Sequence, residues 1–349
     1  MNAPRLAYLG PPGSFTWEAI SLLHEEGLSE TRPMEGSRHI VEAVDQAIVE
    51  FGLVPAENSV EGEVVATTDA LLAHSTRVLV REEVSLQVTF TAWRRKDDNT
   101  IPRFALSHPH ALAQCRNFTE SLGLKTRVCT STSAACHEVA HSTEKGLVAI
   151  AGPSAGKMTG LEPFEEAVED TKGAQTRFFL LAQAMHPFVA QAQKAPTTLK
   201  TLMAVIPPRN RVGVLVEILL PFAERGVDLA SLSSRPLRHD IGQYCFLIQA
   251  KSSIFDDDLA HAVLALLEKG HRVKFLGSYP AWAAPGTETS DRPRNERPDK
   301  GPEREGLPGF VSLQLELQET LRNDAHGSRP SLPGALEQLR QWLSLPVAE

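Results

Sequence analysis

Cysteine, aromatic residues and positive charge are all scarce in this chain. Its 349 residues include four cysteines, 6% aromatic residues and a formal net charge of −8. Cys115, Cys129, Cys136 and Cys245 form no CxxC pair and have no metal-ligand spacing with the histidines, which argues against a zinc site or a dithiol redox centre. Scattered among small and apolar neighbours, they read as reduced core cysteines. No Lys/Arg-rich run and no interleaving of basic with aromatic residues occurs, so the usual footprint of a nucleic-acid binder is missing. There is also no run of about 20 apolar residues, and the opening MNAPRLAYLG lacks a charged segment followed by an apolar one. The expectation is a cytoplasmic protein with neither a nucleic-acid nor a membrane partner.

What is present points to packed domains. Apolar residues make up 42% of the chain and charged residues 22%, enough to bury sizeable cores. The length predicts two or three domains. Over residues 1–185 short apolar runs alternate with helical patterns, an α/β signature. A linker is expected over 186–198. Residues 199–280 read strand, helix, strand, strand, helix, strand, the ferredoxin-like α+β order. Residues 281–349 begin with a stretch rich in Pro, Gly and mixed charge, TETSDRPRNERPDKGPEREGLPG, and are expected to be largely disordered. Within them ALEQLRQWL, 335–343, has helical spacing, and VSLQLEL, 311–317, fits a strand or a helix.

Four apolar runs in the first domain end in small or hydroxyl-bearing residues just before a helical pattern. The junctions are Gly10 to Thr16, Pro55 to Ser59, Ser107 to Pro109 and Thr130 to Ser133. One such junction is an ordinary helix cap. Four predict an anion cleft, because helix N-termini at the carboxyl ends of strands present free N–H groups and partial positive charge. Two other strings are set aside. GPSAGKMT, 152–159, has too short a gap between Gly152 and Gly156 for a phosphate loop, and Met158 stands where Ser or Thr would hold magnesium. His108 and His110 have no third ligand in view, so no metal is expected.

Read in order, these segments resemble the prephenate dehydratase family in its form with a carboxy-terminal ACT regulatory domain. YLGPPGSFTWEA, GLVPAENSVEGEV, LSHPHALAQC, TSTSAAC, AGPSAGKMTGL and TRFFLLA are similar to its successive motifs, and RVGVLVEILLPFAERGVDLASLSSRP with YCFLIQA and FLGSYP resembles the ACT pattern. Departures are visible: Ser14 for a usual Thr, Ser133 and Cys136 for alanines, Thr159 for Tyr, His110 for Gln. Gly173 and Ala174 stand where an Asn is usual, and Ser233 stands where the ACT motif has Glu.

The resemblance implies a two-lobed, periplasmic-binding-protein-like α/β catalytic domain plus an α+β ferredoxin-like ACT domain. It implies prephenate as substrate, lost CO₂ and hydroxide, and phenylpyruvate as product, with no cofactor. Thr176, Glu57, Asn58 and Ser59 are the implied catalytic residues; Gly13, Ser14, Ser131, Thr132 and Arg177 the substrate-binding ones. Adjacent strand residues face opposite sides, so Thr176 and Arg177 share the ligand only if the strand entry is irregular. The long apolar pattern over 77–90 would suit a crossover between lobes. Phenylalanine is the implied effector, at Gly213, Val214, Leu215, Ser234 and Arg235, in a homodimer or homotetramer. Arogenate dehydration, decarboxylation without aromatisation, and a non-catalytic amino-acid sensor are the rival readings.

Overall fold

The computed structural model describes residues 5–23, 30–73, 77–183, 199–236 and 244–282; the expected linker, the tail, and the segments 311–317 and 335–343 lie outside the described residues. The chain divides into two compact units, one built from Met1–His74 and Val84–Leu180, the other from Ser75–Glu83 and Leu181–Glu349.

The first unit has two sheets. Chain order begins with β1 (Arg5–Leu9), α1 (Phe15–Ala19), β2 (Glu30–Met34), α2 (Ser37–Asp45), β3 (Phe51–Asn58), β4 (Gly62–Glu63), α3 (Val65–Ala73) and β5 (Val78–Gln87). The path then enters the second sheet through β6 (Thr91–Arg94), β7 (Phe104–Ser107), α4 (Pro109–Gln114), α5 (Arg116–Ser121), β8 (Lys125–Val128), α6 (Thr132–His141), β9 (Leu147–Ala151), α7 (Pro153–Met158) and β10 (Glu162–Glu166). It returns to the first sheet as β11 (Gln175–Gln183). The sheet orders are β2-β1-β3-β11-β5, with β4 on β3, and β10-β6-β9-β7-β8. The apolar run over 77–90 thus spans the step from one sheet to the other, as its pattern predicts.

Burial explains the apolar strands. LVAIA in β9 is buried throughout because both faces of its sheet are covered. Val148 and Ile150 pack with Phe90, Phe118 and Cys115, whereas Leu147, Ala149 and Ala151 pack with Trp93, Cys136 and Ala155 on the other face. Helix α2 buries Ile40, Val41 and Val44 along one stripe. All four cysteines are buried, and none is in a disulfide. Burial pushes the Cys129 thiol up to about 11 and the Cys136 thiol up to about 12, so both are protonated at neutral pH and inert as nucleophiles.

One junction differs from its sequence reading. Pro55 to Ser59 is not a loop leading into a helix: β3 runs on through Asn58, and α3 starts only at Val65. The extension is held by pairing of Glu57 with Glu63 and of Asn58 with Gly62. Pro55, which has no N–H to give, offers its carbonyl to Thr67 Oγ1 at 2.6 Å. Asn58 and Ser59 are therefore turn residues of a hairpin and not helix caps.

The second unit continues with β12 (Leu199–Ile206), α8 (Val214–Glu224), β13 (Leu229–Pro236), β14 (Tyr244–Ala250), α9 (Asp257–Glu268) and β15 (Arg272–Pro280). Its antiparallel sheet has the order β13-β14-β12-β15, the split β-α-β pattern expected of 199–280. Residues 75–83 are an addition the sequence reading left in the first domain. Leu79 joins the core with Met203, Phe222 and Phe246, and the buried Glu83 carboxylate bonds Lys200 Nζ at 2.5 Å and the Trp282 amide at 3.0 Å.

His271, 2% exposed, bonds Glu217 Oε1 through Nε2 at 3.0 Å. Burial holds its pKa below the ordinary 6.5 although Glu217 pulls the other way. The folded chain is then the weaker base, so the unfolded chain takes the proton first as pH falls. Stability from this group is fully present above 6.5 and is lost below it, at up to about 1.4 kcal/mol per pH unit, until the folded imidazole also protonates. Urea melts of the native chain and of His271→Gln between pH 5 and about 8 should show that slope in the native chain and a flatter profile in the variant.

Candidate active site

Parallel strands bring the candidate residues to two sheet edges. β1 and β3 run parallel, so the loop after β1 and the turn after β3 share the carboxyl edge of the first sheet. β7, β8 and β9 are parallel as well, which puts the starts of α4, α6 and α7 at the carboxyl edge of the second. Such edges are where open α/β sheets bind ligands. The two edges touch. Ser133 Oγ, in the first turn of α6, donates to Pro12 O at 2.6 Å. A Cβ on Gly13, whose φ is +79°, would lie 3.1 Å from Ala155 Cα and 3.2 Å from Ser133 Oγ. Glycine is needed here both for the left-handed conformation and for the close approach.

The helix starts are not equivalent. Ser14 caps α1, accepting from Trp17 N at 3.3 Å while donating to Leu9 O at 3.1 Å. Ser131 caps α6, accepting from Ala134 N at 2.9 Å. The start of α7 is filled from within: Glu18 Oε1 accepts from Ser154 N at 2.8 Å. Helix α6 begins at Thr132, so the amides of Thr132 and Ser133 are among those with no acceptor inside the helix.

At the first sheet's edge, Asn58 and Thr176 meet. Asn58 Oδ1 accepts from Val60 N at 2.8 Å and Glu61 N at 3.1 Å. Those two donors fix the amide orientation, leaving Nδ2 to donate to Thr176 Oγ1 at 2.9 Å. Thr176 is 8% exposed. Because its oxygen already accepts from Asn58, its own proton is left to donate elsewhere. Ser59 ties the turn to β11, with its N–H to Gln175 O at 2.8 Å and its Oγ accepting from Gln175 N at 2.9 Å.

Arg177 and Glu57 lie apart from that pair. β11 begins at Gln175 and alternates regularly, Thr176 buried, Arg177 half-buried, Phe178 buried. Alternation turns Arg177 to the face opposite Thr176 and Glu57 to the face opposite Asn58. There Arg177 Nη2 donates to Glu57 Oε2 in an ion pair. The structure brings these two residues to each other and not to the hydroxyl of Thr176.

Contacts that the sequence reading missed cross between the lobes. Glu61, in the β3–β4 turn, accepts from His110 Nδ1 at 2.5 Å and from Gln114 Nε2 at 2.7 Å, both on α4. His110 stacks on His108 with ring centroids 5.1 Å apart, and burial together with the neighbouring His110 lowers the His108 pKa, against the pull of Glu61. Among the described residues no group of three His, Cys, Asp or Glu is placed to hold a metal, and no helix is long and apolar enough to cross a membrane.

In the second unit, Gly213 opens α8 with φ +83° and no side-chain cap. Val214 is buried, and Leu215 is partly exposed. Ser234 pairs with Phe246, and Phe246 with Val205 near the end of β12. Ser234 and Arg235 therefore share one end of the sheet with the loop that leads to Gly213, two strand spacings or about 10 Å across.

Three comparisons bear on this arrangement. Residues 6–186 match the family described as prephenate dehydratase. A prephenate dehydratase of Amycolatopsis methanolica is 34% identical over 275 residues, covering 79% of this chain and 88% of that one. A prephenate dehydratase of Arthrobacter aurescens, solved in complex with L-Phe, superposes with a TM-score of 0.71 at 27% identity, covering 91% of this chain and 99% of that one. GqqA, described as a novel type of quorum quenching acylase, superposes with a TM-score of 0.69 at 25% identity over 80% of this chain and 98% of its own.

Proposed function

We infer, because this chain belongs to the prephenate dehydratase family, that it converts prephenate to phenylpyruvate, CO₂ and hydroxide in phenylalanine biosynthesis. The observation that carries the mechanism is the Asn58–Thr176 hydrogen bond, whose polarity leaves the threonine proton available. Electrons of the breaking C–CO₂ bond move into the ring as the C–O bond opens, and Thr176 gives its proton to the departing hydroxyl, which leaves as water; the threonine then regains a proton from solvent, so that the net products are phenylpyruvate, CO₂ and hydroxide. A positioned donor of this kind contributes about 10²–10⁴ in rate. Ser59 holds the β3–β4 turn to β11 beside this pair.

A substrate carboxylate binds at the α6 start, on the amides of Thr132 and Ser133, with Ser131 ordering the turn by its cap. Gly13 and Ser14 form the opposing wall. Glu57 and Arg177 act as a structural pair that stiffens the β3–β11 edge, in place of the catalytic role expected of Glu57 and the substrate contact expected of Arg177. The acylase description attached to GqqA finds no support here: among the described residues, none of Ser14, Ser59, Ser131, Ser133 and Thr176 hydrogen-bonds a histidine or carboxylate side chain that would activate it.

We assign the catalytic domain to residues 1–185 with 75–83 given over to the second unit, an ACT regulatory domain to 199–280, a linker between them and a tail beyond. Phenylalanine is the effector, by analogy with the L-Phe complex from A. aurescens, bound between the α8 start (Gly213, Val214, Leu215) and the end of β13 (Ser234, Arg235). Edge strand β13 and the exposed Val216 and Leu220 of α8 supply a pairing surface for a homodimer or homotetramer. Four buried thiols suit a cytoplasmic setting. The test is direct. Purified chain given prephenate should yield phenylpyruvate by its absorbance, with a rate altered by phenylalanine; no product would end the enzyme reading, and an unaltered rate would end the effector reading alone.

A further inference from the structure

We propose that Glu61, His110 and Gln114 form a clasp between the lobes that positions Asn58 and, through it, the hydroxyl of Thr176. The proposal rests on the dehydratase reading for its kinetic consequence and on hydrogen bonds alone for its geometry.

Three bonds in series run from one lobe to the proposed proton donor. His110 Nδ1 meets Glu61 Oε2 at 2.5 Å, Glu61 N donates to Asn58 Oδ1 at 3.1 Å, and Asn58 Nδ2 donates to Thr176 Oγ1 at 2.9 Å. Gln114 Nε2 takes the second carboxylate oxygen at 2.7 Å, so both oxygens of Glu61 are engaged by α4. A carboxylate held at both oxygens has little rotational freedom, and its backbone amide is one of the two that orient the Asn58 side chain. The hairpin turn, Asn58 to Gly62, is short and closed by the bonds of Val60 N and Glu61 N to Asn58 Oδ1, so a shift of Glu61 is passed to Asn58.

Stability does not account for the arrangement. The side chains of His110 and Glu61 are 63% and 38% exposed, and exposed pairs contribute only about 0–1 kcal/mol. Two other hydrogen bonds between the lobes, Pro12 with Ser133 and Glu18 with Ser154, each include a backbone group and lie at the helix starts, and Phe15 packs edge-on against Phe90. The clasp differs in being made of polar side chains on both sides and in ending on the turn that carries Asn58. Glu61, His110 and Gln114 are thus positioning residues: none is needed at the reacting atoms.

The experiment uses the full chain with His110→Ala, His110→Asn and Glu61→Gln. Asparagine places an N–H donor near the position of Nδ1, so it should restore what alanine removes. For His110→Ala the expected result is a fall in kcat of about three- to thirty-fold with KM within about twofold, most of it recovered in His110→Asn. Glu61→Gln should fall similarly, and adding His110→Ala to it should cost little more, since both act through one contact. A rise in KM at constant kcat, full additivity of the two changes, or no recovery with asparagine would overturn the proposal. A second arm needs no turnover: amide hydrogen exchange at Val60 and Glu61 should quicken in His110→Ala and return in His110→Asn. Unchanged exchange would overturn the clasp whatever the chain catalyses. The exchange response together with no phenylpyruvate from the native chain would leave the clasp standing and refute the dehydratase.

Discussion

Thr176→Ala should lower kcat by about 10²–10⁴ while changing KM only a few-fold, with the fold intact. Thr176 is buried, and among the described residues the partner of its hydroxyl is Asn58 Nδ2 at 2.9 Å. Removing the hydroxyl takes away a donor that matters when the C–O bond is breaking and leaves the groups that hold the carboxylate in place, and interactions made only in the transition state appear in kcat. Thr176→Ser keeps the donor but loses the methyl that restricts its rotation, so its activity should fall between the two. Asn58→Asp is the sharper control. Its carboxylate can still accept from Val60 and Glu61 but must also accept from Thr176, which draws the threonine proton inward; activity should drop toward that of the alanine variant. Stopped-time phenylpyruvate assays with thermal melts would decide it. A Thr176→Ala enzyme with native kcat would remove Thr176 from the chemistry.

The second large effect concerns stability. Gly156→Ala places a methyl where none fits: the added Cβ would sit 2.0 Å from Trp93 Cδ2 and 2.2 Å from Cε2. The indole lies against α7, is 4% exposed, and is held by Nε1 donating to Ala151 O at 3.3 Å, so it has no free space to swing into. Overpacking of this kind costs about 1–3 kcal/mol, and the held ring argues for the upper end. For a unit of this size each kcal/mol lowers Tm by about 2–4 °C. Differential scanning calorimetry should show the drop in the first unit's transition. Adding Trp93→Leu opens the space, so the double variant should be more stable than the sum of the two single losses predicts; strict additivity would mean that Gly156 is small for some other reason.

Much of the fold could be read from the chain, for local reasons. Continuous apolar runs mark β12 and β14, where consecutive residues are buried, and a helical period marks α9, within a residue or so. Strand-end loops with hydroxyls mark three of the four helix starts, where a cap is a local hydrogen bond. The fourth, Pro55 to Ser59, fails because a short hairpin with β4 holds it extended and a partner distant in the chain reinforces it: Ser59 and Gln175 are 116 positions apart, and no local propensity reports that. The same holds for the site. Thr176 and Asn58 are each visible as motif residues, whereas their mutual bond and the exclusion of Arg177 by alternation depend on register. GPSAGKMT resembles a phosphate loop because glycine serves close approach in both settings; here what approaches is an aromatic ring. Glu61, His110 and Gln114 carry no local signal beyond a histidine in a position where the family resemblance expects glutamine.

The four thiols offer a way to watch this molecule open. Each is buried, Cys129 least so at 8% exposed, and they are distributed: Cys115 lies under one face of the second sheet, Cys129 and Cys136 under the other, and Cys245 in the second unit. An alkylating reagent can mark a thiol only after its surroundings part, so the order in which mass is added across the three tryptic peptides that carry them, one of which holds both Cys129 and Cys136, would trace which layer yields first. A ligand that tightens one layer would delay its label and leave the rest on schedule.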